Sequence, residues 1–69
     1  MKIKLSKKLY KKKPIEDTCK TYKEAGLGDF KMLEKEDYFL IEATDVEGEW
    51  EEIKNEFLNY VISESQSII

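Results

Sequence analysis

Side-chain chemistry near neutral pH leans on imidazoles, activated thiolates and guanidinium clamps. In 69 residues this chain has no histidine, no arginine and one cysteine, Cys19. Cys19 stands at helical spacing with Ile15 and Tyr22, which marks it as a small buried thiol in an inner stripe. With no histidine or neighbouring base, nothing activates it as a nucleophile. It cannot form an intrachain disulfide, and the several Cys and His that a zinc site needs are missing. Glu47, Glu49, Glu51, Glu52 and Glu56 are the remaining candidates for acid–base or cation chemistry. Catalytic carboxylates need burial and separated pKa values, whereas these flank a turn and a helix start and read as solvated. They do not follow the EF-hand order. Gly26 and Gly28 follow a helix, whereas the dinucleotide fingerprint follows a strand, so they read as a turn. No cofactor or metal site is legible, and the chain reads as a non-enzyme.

Binding chemistry is better represented. Lys7, Lys8, Lys11, Lys12 and Lys13 crowd into a short segment, with Tyr10 among them and Tyr22 beyond. Lysines neutralise phosphates and aromatics stack on bases, so this segment is a candidate nucleic-acid surface. Against that, the net charge is −3, no arginine offers planar readout, and no GXXG loop is present. The aromatics near the C-terminus, Trp50, Phe57 and Tyr60, are core formers by type. One or two of them at the margin of a stripe would anchor a protein partner, because interface energy concentrates in such residues.

Charge is segregated. Lys2, Lys4 and the five lysines after them make the first thirteen residues basic, while Glu42, Asp45 and the glutamates to Glu56 make a later stretch acidic. Such a chain can associate head to tail or present two unlike faces to a partner. A domain this small buries only about 60% of its unfolded surface, and oligomerisation or partner binding commonly makes up the shortfall. No apolar run reaches the ~18 residues of a membrane span. The N-terminus lacks a signal-peptide apolar region. A cytoplasmic location is the expectation, and a lone cysteine agrees with it.

The elements that must position these residues follow from periodicity. Within residues 1–10, Ile3 and Leu5 alternate with Lys2, Lys4 and Ser6, the pattern of a half-buried strand whose lysines discourage edge pairing. Pro14 suits the first turn of a helix, and Glu16 and Asp17 then favour its positive end. Ile15, Thr18, Cys19, Tyr22 and Ala25 form its inner stripe, and Gly26 stops it. Residues 30–33 and 38–44 read as strands joined through Lys35, Glu36 and Asp37, an antiparallel hairpin. In the second of them Phe39, Ile41 and Ala43 share one face, and Tyr38, Leu40 and Glu42 the other. Residues 45–49 turn. A helix then runs from 48 or 49 to about 65, with Trp50, Ile53, Phe57, Tyr60, Val61 and Glu64 at its period and Leu58 and Ile62 widening the stripe. Gln66, Ser67, Ile68 and Ile69 read as a frayed tail whose isoleucines could dock on an apolar neighbour.

The expected fold is therefore one α+β domain over residues 1–69, in the order β-α-β-β-α: a two-layer sandwich with a three-stranded sheet and both helices on one face. A right-handed crossover would make the first and one later strand parallel neighbours. This is a ferredoxin-like layout missing one strand, which leaves an edge for a second subunit or a partner. Tyr38, Leu40 and Leu33 would lie on the uncovered face, a candidate contact surface.

The segment Glu56-Phe57-Leu58-Asn59-Tyr60-Val61-Ile62, after an acidic turn and a strand, resembles the Glu-Phe-x-Asn-x-x-Leu segment of HxsD-like proteins. These are small accessory proteins of the His-Xaa-Ser peptide-modification system, which also contains radical-SAM enzymes. Leu9-Tyr10-Lys11-Lys12-Lys13-Pro14-Ile15 looks like that family's passage from strand to helix. The chain departs from the family in a first helix poorer in alanine, around Thr18 to Tyr22, and in lacking arginine between Ser63 and Ser67. The resemblance implies a binding accessory with no catalytic residues to carry over. The expectation is thus a protein-interaction module, an accessory or scaffold in a peptide-modifying or similar complex. Its partner is a protein, a peptide or a second copy, contacted through Tyr38, Leu40, Trp50, Phe57, Asn59 and Tyr60. Nucleic-acid binding through the lysine segment is the alternative.

Overall fold

Alternation makes the first strand, β1 (Lys2–Ser6), whose Ile3 and Leu5 are buried while Lys2 and Lys4 stay in water. The computed structural model describes residues 1–66. The chain continues through α1 (Lys12–Glu24), β2 (Asp29–Glu34), β3 (Tyr38–Thr44) and α2 (Trp50–Gln66). The three strands form an open antiparallel sheet in the order β1-β3-β2. Ser67, Ile68 and Ile69 lie outside the described residues, and with them the fraying and docking expected of that tail.

One core joins both helices to one face of the sheet. It gathers Ile3 and Leu5 of β1, Phe30 of β2, and Phe39, Ile41 and Ala43 of β3 against Ile15, Cys19 and Tyr22 of α1 and Ile53, Phe57 and Val61 of α2. Phe57 and Phe30 stack with centroids 5.2 Å apart and planes 7° from parallel, and Tyr22 meets each edge-on. Such aromatic contacts add to the area they bury. Thr18, fully buried, donates its hydroxyl to the Pro14 carbonyl at 2.7 Å, which removes the cost of an unpaired polar group.

Three expectations are corrected. The first strand has no parallel neighbour: β1 and β2 run the same way, but β3 lies between them and pairs antiparallel with each. The short hairpin forces β3 back alongside β2, and β3, apolar on both faces, takes the central place. Second, α1 begins at Lys12, so its first turn holds no acidic residue, and Glu16 and Asp17 fall beyond the reach of the N-terminal dipole. Third, Ala25 is the exposed C-cap and not part of the stripe.

The stop at Gly26 is as expected. Its φ is 74°, its N–H donates to Lys23 O, and the Leu27 N–H donates to Tyr22 O, the paired bonds of a Schellman motif. Gly28 has a second requirement. At φ 151° a Cβ there would lie 3.0 Å from the Phe30 ring and 3.2 Å from Val46 Cα. The close approach lets the Glu47 N–H bond to Leu27 O at 3.0 Å, which ties the turn before α2 to the turn after α1.

Candidate binding surfaces

The face of the sheet turned away from the helices carries the side chains that the alternation leaves over. Pairing register sets them in rows: Lys2, Glu42 and Lys31 in one, Lys4, Leu40 and Leu33 in the next, then Ser6 and Tyr38. Tyr38 and Leu40 are half-buried, and Leu33 is 40% exposed. The Lys4 ammonium sits 4.3 Å from the Tyr38 ring centroid, a cation–π contact. Lys4, Ser6, Asp37 and Tyr38 line a shallow depression there. The apolar patch is real but small, and lysines frame it.

The helix candidates lie in the other layer, so the structure does not bring all six contact residues together. Trp50 is half-buried against the core. Phe57 is wholly buried, so it holds α2 in place and has no surface to offer a partner. Asn59 is exposed, and Tyr60 is 37% exposed with its ring edge-on to Tyr22 at 6.1 Å. Ile62 beside it is also exposed. The periodicity of α2 drew Tyr60 and Phe57 into one stripe. The tertiary contact separates them, because Ile53, Phe57 and Val61, each four residues on, already fill the space above the sheet.

The lysine segment is largely engaged within the chain. Lys7 donates to Glu34 at 2.9 Å, and Lys12 reaches the other oxygen of the same carboxylate at 3.1 Å. These two lysines hold the Glu34 carboxyl below its usual range, and Glu34 in turn raises Lys12. Lys7 also lies 5.3 Å from the Phe39 ring centroid. Lys13 stands 3.9 Å from Asp17. Among the described residues Lys8 and Lys11 have no ion pair. The aromatics expected to interleave do not: Tyr22 is in the core and Tyr10 packs against it. Glu34 is the residue that sequence reasoning missed, because its two partners come from distant segments.

Cys19 is buried, and burial aided by Glu16 pushes its thiol up to about 11. That is the opposite of an activated thiolate. Glu47, Glu49, Glu51, Glu52 and Glu56 are all exposed. Among the described residues no group of three or more acidic or thiol side chains is placed to hold a metal ion, and no helix is long and apolar enough to cross a membrane.

The outer side of β1 forms the second surface. β1 is an edge strand, and a groove beside it is walled by Leu9, Tyr10, Lys54 and Leu58. Leu9 is 80% exposed. The chain matches no family model, and no curated protein or solved structure is significantly similar to it.

Proposed function

We propose that this chain is a non-catalytic protein-interaction module, an accessory or scaffold subunit of a peptide-modifying enzyme complex of the radical-SAM type or a similar one. The observation that carries the reading is an open sheet. Both edge strands, β1 and β2, lack a further strand among the described residues, and the face turned away from the helices carries Tyr38, Leu40 and Leu33. Apolar groups beside unpaired strand backbone are what strand addition and surface burial use. The likeness of residues 56–62 to the HxsD-like segment supports the accessory role, with Trp50, Asn59 and Tyr60 as a second contact area on α2. The module works by surface burial and makes or breaks no bond. We place it in the cytoplasm, bound to a protein or peptide or to a second copy.

The test is an affinity pull-down from nuclease-treated source-cell lysate in moderate salt, with mass spectrometry of what is retained. One enzyme or peptide precursor is expected in good yield, lost in a Tyr38→Ala/Leu40→Ala variant or a Trp50→Ala/Tyr60→Ala variant. No protein retained from the treated lysate, with nucleic acid retained from an untreated one and released by salt and by replacing Lys8 and Lys11, would move the weight to the lysine segment and sink this reading.

A further inference from the structure

The groove along β1 has a chemistry that narrows what fills it. Ala43 N–H donates to Met1 O at 2.7 Å, and Lys7 N–H donates to Asp37 O at 3.2 Å. With the antiparallel register, the odd-numbered residues of β1 therefore exchange bonds with β3, and the even-numbered ones turn theirs outward. The Ser6 carbonyl is occupied by the Leu9 and Tyr10 N–H groups. The outward N–H and C=O of Lys2 and Lys4 remain, and among the described residues no strand lies on that side. An incoming strand there would place alternate side chains on the two sides of the sheet. Those opposite Ile3 and Leu5 would enter the space lined by Leu9, Tyr10 and Leu58. Those opposite Lys2 and Lys4 would lie on the open face beside two ammonium groups.

Charge selects the occupant. Lys2, Lys4 and Lys54 line the groove and no carboxylate does, in a chain whose net charge is −3. Lys54 already stands 3.8 Å from Glu51 on its own helix, so Lys2 and Lys4 are the cations chiefly left for an incoming segment. A second copy of β1 fits poorly. Any register that keeps Ile3 and Leu5 inward sets lysine opposite lysine or serine, and like charges directly opposite destabilise a pair.

We infer that the free edge of β1 binds an extended peptide segment in which acidic and apolar residues alternate, adding it as a fourth strand. This rests on the interaction reading above and names the partner's chemistry. Main-chain bonds to Lys2 and Lys4 hold the segment, its apolar side chains fill the groove, and its carboxylates meet the lysines.

The experiment uses two fluorescein-labelled nine-residue peptides, one alternating Glu with Val and one alternating Lys with Val. Fluorescence polarisation measures affinity, and hydrogen exchange followed by NMR locates the site. The Glu/Val peptide is expected to bind at least about tenfold more tightly than its basic counterpart, and less tightly as salt is added. Binding should slow exchange of the Lys2 and Lys4 amides. In Lys4→Pro the lost N–H is one that points away from β3, so the sheet survives at its edge and affinity falls by about tenfold, the loss of one well-made bond. If proline disrupts the fold, Lys2→Glu/Lys4→Glu serves in its place and should reverse the preference toward the Lys/Val peptide. Equal binding of both peptides, protection confined to β2 or α2, or tighter binding of a single-stranded oligonucleotide would overturn the inference. So would a dimer whose interface protects the same amides. The two readings fail separately. If the double-glutamate variant retains the same lysate protein as the parent chain, the groove inference falls and the module reading stands. If neither chain retains a protein, both fall.

Discussion

At the scale of single residues, Cys19 shows how position overrides type. A thiol is the most reactive group this chain owns, yet it is 7% exposed and pushed up to about 11 by burial, with Glu16 adding to the shift. The thiolate is the species that alkylates, so iodoacetamide at pH 8 should label native Cys19 about a hundredfold more slowly than the urea-unfolded chain. Labelling at the unfolded rate would show that the stripe Ile15, Cys19, Tyr22 is not closed. The same shift has a stability sign. Below the ordinary thiol range both states hold the proton and nothing is lost. As pH rises through that range toward 11, the unfolded chain ionises first and the folded state loses ground. The burial of Cys19 was legible in its spacing with Ile15 and Tyr22. The burial of Phe57 and the exposure of Tyr60 were not, because both sit on the same side of a helical wheel and only the sheet beneath decides between them.

At the scale of elements, Glu34 fastens three segments. It ends β2 and holds Lys7 from the turn after β1 and Lys12 from the first turn of α1. It also compensates for lysines at a helix end whose dipole repels them. All three groups are exposed to solvent, so the clamp is worth little at high salt. Its pH dependence is the clearer sign. The Glu34 carboxyl is lowered by hydrogen bonds from Lys7 and Lys12, so its contribution is present above the ordinary carboxylate range and is lost as pH falls through the lowered value. Glu34→Gln should therefore unfold at lower urea than the parent at pH 7, and the gap should close on acidification. A gap that persists in acid would mean that packing, not charge, is what the substitution disturbs. The strand and helix types were readable from periods of two and about 3.6. The start of α1 at Lys12 was not, since Pro14 is compatible with any place in the first turn.

For the whole molecule, the aromatic layer between sheet and helices is the critical quantity. Phe57 is wholly buried between Phe30 and Tyr22. Phe57→Ala should cost about 3–5 kcal/mol. A domain of this length has only about 3–10 kcal/mol in total. Loss of the cooperative thermal transition by circular dichroism is the expected result, and a cooperative melt within a few degrees of the parent would show that the core closes over the gap. Tyr60→Ala, at the exposed rim, should leave the melt nearly unchanged while removing a partner contact. The pair of variants thus separates the residues that build the domain from those it presents.

The sequence by itself determined the element order, the inner faces of β1 and β3, most of the inner stripe of α1 and the absence of histidine and arginine, because these are local matters of period and composition. Tertiary structure alone decided that β3 occupies the centre, that Lys7 and Lys12 converge on Glu34, and that Lys2, Lys4 and Lys54 line one groove beside an open edge. Each of those joins residues far apart in the chain. A hydrophobic period states which face is buried, but it carries no information about which neighbour covers that face or which backbone groups are left without one.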